Sequence, residues 1–278
     1  MPRPLRAALR PLGGAARRAR VHPTPLPGGG PRPLPGGAVE LDTLHGTFWF
    51  DGEDEKLTPW IRSQATWEAD VVRLLERTLR PGMVVVDVGA NVGFHTVLAA
   101  RLVAPGGRVH AVEPVPWNVE VLRANAWRHG CGDTVSVHPL AAGAESGEAS
   151  LAIPADGRSG TELAAPGGAG ELVRVEPLDA LVPEVRVDLL KVDVEGAESD
   201  VIAGARGLIE RSPGLLVVAE FRPRTTAAEV APEAALARYE TLGFELCVLR
   251  RDGRAQPADA RTLLGLPDET VNIVLRRR

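Results

Sequence analysis

An α/β fold, a doubly wound and mostly parallel sheet ending in a C-terminal antiparallel hairpin, is what this sequence predicts, and three observations carry the prediction. From residue 81 onward short β-branched runs alternate with amphipathic stretches of helical length, the pattern of a parallel sheet covered by helices. Two of those runs, VDLLKVDVEG at 187–196 and GLLVVAEF at 214–221, are apolar almost throughout, as strands buried on both faces are. The first run, MVVVDV, passes through a glycine turn, GANVG at 89–93, straight into helix-forming residues.

Taken in order, residues 1–38 are dense in Pro, Gly and Arg and contain no apolar run long enough for a signal-peptide core. They read as a disordered, solvated tail, although an Arg-rich, acid-poor start also resembles a transit peptide or a contact for an acidic partner. VELDTLHGTFWFDG at 39–52 predicts a hairpin turning at His45-Gly46, and TWEADVVRLLERTLRPG predicts an amphipathic helix capped by Thr66. Residues 39–80 are therefore expected to pack on the sheet domain, 81–278, and not to form a separate unit. Within that domain the predicted order is strand 83–88, helix 92–103, strand 107–114, helix 116–130 closed by Gly130, and strand 134–140. Residues 143–178 break the rhythm: GEASLAIP and ELVRVEPL alternate like an antiparallel pair around a Gly-rich loop. The rhythm returns with strand 187–196, one helix over 197–212, strand 214–221 and a helix at about 231–242. FELCVLRR and TVNIVLRR close the chain, joined by a Gly-, Pro- and Asp-rich stretch too short for a well-formed crossover helix.

Composition narrows the function classes. The net charge is −4 overall, but residues 1–38 hold seven arginines and no carboxylate, which leaves about −11 on the rest; an acidic body does not recommend a nucleic-acid partner. No window approaches the roughly 18 apolar residues of a membrane span. The two cysteines, Cys131 and Cys247, form no CxxC and no His-spaced metal set, so reduced structural thiols, a soluble cytoplasmic protein and no metal are expected.

Three ligand classes compete for the turn after the first strand. A phosphate-cradling P-loop needs Gly-Lys-Ser/Thr, which is missing. A pyrophosphate turn needs G-x-G-x-x-G, but from Gly89 the second and third glycine places hold Asn91 and Phe94, and a phenylalanine crowds the helix start where pyrophosphate sits. The pattern present is Asp87-x-Gly89-x-x-x-Gly93, with Glu113 at the end of the second strand. It suits a ligand with a ribose and no pyrophosphate, for which S-adenosylmethionine is the candidate.

VVVDVGANVGFHT, VHAVEPVPWNVEVLRANA and VDLLKVDVEGAESDVIAGA resemble, in that order, the three signature blocks of the FkbM-type methyltransferases, and the resemblance covers about residues 67–221. It implies the class I methyltransferase, Rossmann-like fold and S-adenosylmethionine as cofactor. By the same resemblance Asp87, Gly89, Asn91, Gly93 and Glu113 are cofactor positions, with Ala90 and Pro114 in the same two turns and Asn118 supporting the second. Leu140 and Ala141 would flank the adenine, and the acceptor would be a hydroxyl on a natural product, a sugar or another glycan- or lipid-like small molecule.

Five acids, Asp87, Glu113, Asp193, Glu195 and Glu220, fall at or just past the carboxyl ends of four predicted parallel strands, the edge at which open α/β sheets bind ligands. Methylating an alcohol requires removal of its proton; Asp193 and Glu195 lead as general bases, Glu220 follows, and His45 and His95 trail. Asp193 also reaches the cofactor side. Glu198, in a first helical turn, is expected to serve its own helix. Lys191, one of two lysines, sits inside an apolar strand on the face of Asp193 and Glu195: either it neutralises a structural acid, or it holds a catalytic carboxylate or the acceptor. Trp49, Trp60 and Trp67 hint at a sugar-stacking wall against the alternative of core packing. Two rival functions stay open at this stage, a non-catalytic nucleoside-binding domain and a nicotinamide-dependent oxidoreductase.

Overall fold

The computed structural model describes residues 34–164, 170–184, 186–224, 230–267 and 270–277; residues 1–33, most of the expected tail, lie outside them. β1 (Ala38–Thr43) and β2 (Gly46–Asp51) form the expected hairpin. Its turn is Leu44-His45, one residue earlier than the sequence reading, because Thr43 pairs with Gly46 and the Thr43 hydroxyl donates to the Gly46 carbonyl (2.7 Å) and accepts the His45 amide (3.1 Å). The tail also ends sooner than expected: the Gly36 carbonyl accepts the Trp117 indole N–H (2.9 Å) and the Gly37 carbonyl accepts the Gly52 amide (2.8 Å).

Next come α1 (Leu57–Gln64), which periodicity did not reveal, and α2 (Ala69–Thr78). The α2 cap is Glu68, at φ 39°, and not Thr66, whose buried hydroxyl has no hydrogen-bond partner among the described residues. β3 (Val84–Val88), α3 (Phe94–Val103), β4 (Arg108–Val112), α4 (Pro116–Arg128) and β5 (Val135–His138) follow the predicted alternation. The irregular segment folds into its own sheet of β6 (Ala141–Ala142), β7 (Gly147–Ala152), β8 (Glu162–Ala164) and β9 (Leu172–Glu176), in the order β6-β9-β7-β8, with β7 and β9 antiparallel as expected.

After α5 (Leu178–Leu181) and β10 (Leu189–Val192), the single helix expected at 197–212 is two, α6 (Glu198–Ala203) and α7 (Arg206–Arg211). They break at Gly204, which packs so closely on the small sheet that a Cβ would lie 2.0 Å from the Gly143 carbonyl oxygen. β11 (Leu216–Phe221), α8 (Pro232–Thr241), β12 (Phe244–Leu249), β13 (Ala255–Pro257), α9 (Ala260–Leu264) and β14 (Val271–Arg277) complete the chain.

The main sheet runs β13-β12-β14-β11-β10-β3-β4-β5. β11, β10, β3, β4 and β5 are parallel, and β14 is antiparallel to both of its neighbours. β12 and β14 pair antiparallel as predicted, yet not as a plain hairpin: β13 and α9 lie between them in the chain, and β14 enters between β12 and β11. One apolar layer joins the hairpin, α1, α2 and α3 to one face of the sheet; the other covers the opposite face with α6, α7 and α8. This is the doubly wound α/β fold. Asn125 ties the hairpin to it, exchanging bonds with the Trp49 amide and carbonyl (both 2.9 Å) and donating to the Val92 carbonyl (2.8 Å). Among the described residues no helix is long and apolar enough to cross a membrane. Because the chain leaves β3 toward β4 on one side and later places β10 on the other, the sheet has its topological switch point between β3 and β10, where a ligand crevice opens.

Candidate active site

A cavity of about 1500 Å³ lies over that edge, larger than the several hundred Å³ of a typical small-molecule site. Its floor begins at the glycine turn. Gly89 has φ 75°, and a Cβ there would lie 1.7 Å from the Asp193 carbonyl oxygen, so only glycine lets β3 and β10 close together. Gly93, at φ 84°, caps α3, and a Cβ would press 2.8 Å from Leu122 of α4.

Glu113, just past β4, is 4% exposed. Its Oε2 accepts the Asn91 amide (2.7 Å), and its Oε1 accepts the Val115 amide (2.9 Å) and the Asn118 side-chain amide (3.2 Å). Burial pushes its pKa up to about 7 against those bonds. A carboxylate accepts about four hydrogen bonds, so three fixed donors leave capacity for a ribose hydroxyl.

Of the predicted cofactor positions, Gly89, Ala90, Asn91, Glu113, Pro114, Asn118 and Ala141 line the cavity. Asp87, Gly93 and Leu140 are not on its wall. Asp87 lies beneath, accepting the Thr96 hydroxyl (2.6 Å), Gly93 seats the helix, and Leu140 packs in the core while Ala142 lines the wall beside Ala141. A glycine cradle that a Cβ would fill, a buried ribose-side acid and the lack of a basic residue in the turn fit a nucleoside donor such as S-adenosylmethionine.

Asp193, Glu195, Glu220 and Lys191 also line the cavity, beside the glycine turn on the β10 side. Lys191, 4% exposed, places its Nζ 2.8 Å from Asp193 Oδ2 and 4.0 Å from Asp87 Oδ1. Burial works against its charge, but Asp193, Glu68 and Asp87 outweigh it, and its pKa stands above the ordinary lysine value. Lys191 thus lies within reach of both a buried acid beneath the site, Asp87, and a cavity-lining one, Asp193. Glu195 takes a left-handed backbone (φ 54°) and pairs with Arg222; burial and then the charge of Asp193 push its pKa up to about 7. Glu220, 3.5 Å from Arg222, is pushed to about 9 by burial and by Asp193 and Glu195. Glu198 accepts the Val194 (3.1 Å) and Gly196 (3.2 Å) amides, bracing the turn that carries Asp193 and Glu195.

Sequence reasoning passed over Glu68. It enters from ahead of α2, its Oε1 accepts the Asn272 amide (2.7 Å), and its Oε2 lies 3.7 Å from His95 Nδ1. Burial raises its pKa to about 7. Nothing local marks it, since its partners come from α3 and β14. His95 is on the cavity wall, its pKa held well below the ordinary value by burial and by Lys191, whereas His45 sits in a separate small hollow with Arg101. Of the tryptophans singled out, Trp67 alone lines the cavity; Trp60 meets it edge-on at 6.1 Å, and Trp49 lies under the Arg128 guanidinium.

The far wall is residues 158–163 of the small-sheet segment, locked to the chain ahead of α1. Arg158 pairs with buried Asp51 (2.6 Å), Asp54 accepts the Ser159 amide (3.1 Å), and Lys56 pairs with Asp156 (2.9 Å).

Residues 87–246 match the methyltransferase FkbM domain. Among curated proteins, the 31-O-demethyl-FK506 methyltransferase FkbM of Streptomyces tacrolimicus is 59% identical over 51 residues, 18% of this chain and 19% of that one. The protein-L-isoaspartate O-methyltransferase of Aeropyrum pernix is 47% identical over 58 residues, 21% and 22% of the two chains. The matched stretch thus spans about a fifth of either relative. An S-adenosylmethionine-dependent O-methyltransferase from Thermotoga maritima superposes over 87% of this chain and 78% of its own, at 15% identity and a TM-score of 0.47. The domain match covers more than half of the chain and contains the glycine turn, Glu113, Lys191 and Asp193, so the chain belongs to the FkbM methyltransferase family, with S-adenosylmethionine as its methyl donor.

Proposed function

We propose that the protein methylates a hydroxyl oxygen of a small-molecule or glycan-like acceptor. The observation that carries the reading is the placement of Asp193. Its carbonyl is pressed against the Gly89 turn while its carboxylate, held by Lys191, faces the cavity, so a base stands beside the donor cradle. The relative from Streptomyces tacrolimicus is named for an O-demethylated compound, which supports oxygen as the atom methylated.

S-adenosylmethionine, when bound, supplies a methyl group on a sulfonium. Asn91 and Glu113 define the ribose side, and Ala141 the far end of the donor cradle. Asp193 takes the acceptor's hydroxyl proton; Lys191 fixes that carboxylate and stabilises its charge. Glu195, the second candidate base, is steadied by Arg222. Glu220, whose pKa burial and the charges of Asp193 and Glu195 push up to about 9, is disfavoured as the proton acceptor at neutral pH. Alignment of oxygen, methyl and sulfur supplies much of the rate, and the wall locked by Asp51 and Asp54 keeps that geometry. The missing pyrophosphate glycines disfavour a nicotinamide enzyme, and a purely binding domain leaves the cluster of acids beside the turn without a task.

The test is a mass-spectrometric screen of demethylated natural products and sugars with the full chain and S-adenosylmethionine, followed by Asp193→Asn and Glu195→Gln on any acceptor found. Loss of an aligned general base costs about 10²-fold or more in turnover, with donor affinity nearly unchanged. Turnover undiminished in both variants would overturn the base assignment, and a methyl group found on nitrogen or carbon would overturn oxygen.

A further inference from the structure

We infer that the acceptor carries an anionic group, a phosphate or a carboxylate, which seats on the arginine-bearing turn after β12 while its hydroxyl lies at Asp193. The inference rests on the methyl-transfer reading and adds a substrate class to it.

The turn Arg250–Arg254 lies at the cavity mouth. It closes on itself through the Gly253 amide to the Arg250 carbonyl (2.8 Å) and the Arg250 amide to the Arg254 carbonyl (2.9 Å). It is also fastened to α2: Arg73 donates to the Arg251 carbonyl (2.5 Å) and Arg77 to the Asp252 carbonyl (3.0 Å). Gly253, at φ 77°, sits so tightly there that a Cβ would lie 2.5 Å from the Arg73 Cβ. Five arginines thus gather on a rigid feature. Arg73 and Arg77 are spent on carbonyls, and Arg254 faces Asp252 (3.5 Å). Among the described residues neither the Arg250 nor the Arg251 guanidinium has a partner.

The charge runs against the rest of the molecule. The body from residue 39 onward carries about −11, yet Arg250, Arg251 and Arg254 cluster at this mouth against Asp252 and Asp70 among the lining acids, while the two lysines of the chain are spent elsewhere, Lys56 on Asp156 and Lys191 on Asp193. A cleft with a positive rim concentrates anions, and the fork of a guanidinium matches carboxylate and phosphate oxygens. The deep carboxylates repel an anion from the reacting end, so acceptor polarity is set: hydroxyl inward, anion outward.

The sheet also sets a length. β12 is parallel to β11, since each is antiparallel to β14, so its carboxyl end shares the edge with that of β10. Three strand steps separate them, about 14 Å at about 4.8 Å per step. That is a backbone distance, into which the Asp193 and arginine side chains reach, so the acceptor spans only what they leave.

The full chain is loaded with S-adenosylhomocysteine and titrated at low salt with inorganic phosphate or acetate, phosphate binding being read by ³¹P line broadening and acetate by its competition. Expected are saturable broadening, at least a 10-fold weakening in R250A/R251A, and loss of binding at about 0.5 M NaCl as screening demands. Effective competition by acetate identifies a carboxylate source, and preference for phosphate a phosphorylated one. No broadening, or equal broadening in the double variant with its melting temperature preserved, overturns the inference. Failure of S-adenosylhomocysteine to bind the wild type would instead defeat the methyl-transfer reading and leave the anion seat standing or falling on its own titration.

Discussion

Replacing Lys191 by methionine keeps most of the side-chain volume and removes one buried charge. In the wild type the ammonium faces Asp193 at 2.8 Å and Asp87 at 4.0 Å, with Glu68 also in its field. At 4% exposure there is little solvent to screen what remains. Deleting one partner of a buried ion pair costs about 3–5 kcal/mol, and the near-isosteric exchange adds little cavity penalty. The cost must depend on pH with a definite sign. Asp87 and Glu68 already have raised pKa values, Glu68 about 7 against an ordinary 4.5, and loss of the lysine raises them further. A carboxyl group whose folded pKa exceeds its unfolded one penalises the fold fully above the folded value, and the penalty fades as pH falls to the unfolded value. Urea unfolding of Lys191→Met should therefore show a loss that is largest in base and shrinks as pH falls toward the wild-type Glu68 value of about 7, below which both proteins hold Glu68 protonated. Adding Asp87→Asn should return part of it. A loss below about 1 kcal/mol at pH 8, or one that does not shrink in acid, would refute the view that Lys191 compensates these acids.

Glu113→Ala should weaken S-adenosylmethionine binding by roughly 10-fold to 100-fold in calorimetry, the scale of one or two charge-assisted hydrogen bonds; unchanged affinity would end its ribose assignment. Removal of residues 1–33 should leave melting temperature and donor affinity unaltered, because a Pro/Gly/Arg segment has little apolar surface to bury, and a drop of many degrees would reveal a docked arm. Turnover should survive EDTA if Asp193 or Glu195 acts directly as base; abolition by EDTA and rescue by Mg²⁺ would make these carboxylates metal ligands.

The cradle proposed for the donor was legible because its signals are local. A valine run, a glycine turn and an acid at the next strand end all lie between Val84 and Glu113, and each follows from a backbone demand: Gly89 from contact with β10, Glu113 from the amide of Asn91 that it accepts. The strand order was legible for the same reason, since apolar runs and helix periods recur along the chain. Boundaries failed where a tertiary contact overrode the pattern. Gly204 splits a helix that periodicity makes continuous because it must pack against Gly143, and Thr43 moves the hairpin turn by capturing two backbone groups with one hydroxyl. Of the two residues expected to flank the adenine, Leu140 packs in the core and Ala141 lines the cavity, a difference that a family position alone does not resolve.

Of the proposed acceptor half, Asp193, Glu195, Glu220 and Lys191 were named from the strand ends, but the groups around them come from segments far apart in sequence. Glu68 meets Asn272 and His95, and Asp51 meets Arg158; whole strands and helices separate the members of each pair along the chain. Every pair also depends on a residue ahead of the matched domain, and Asn272 lies beyond its other end. Residues 51–68 and 250–272 close the cavity that residues 87–246 open, so on the proposed reading the donor turn and the candidate bases lie in the shared span while part of the acceptor's wall comes from its flanks. That division has a physical consequence. A substitution in the flanks, such as Asp54→Ala, which frees the Ser159 amide and the start of α1, should alter KM for the acceptor while S-adenosylhomocysteine binds as before. Equal loss of both affinities would show instead that the flanks hold the donor turn itself.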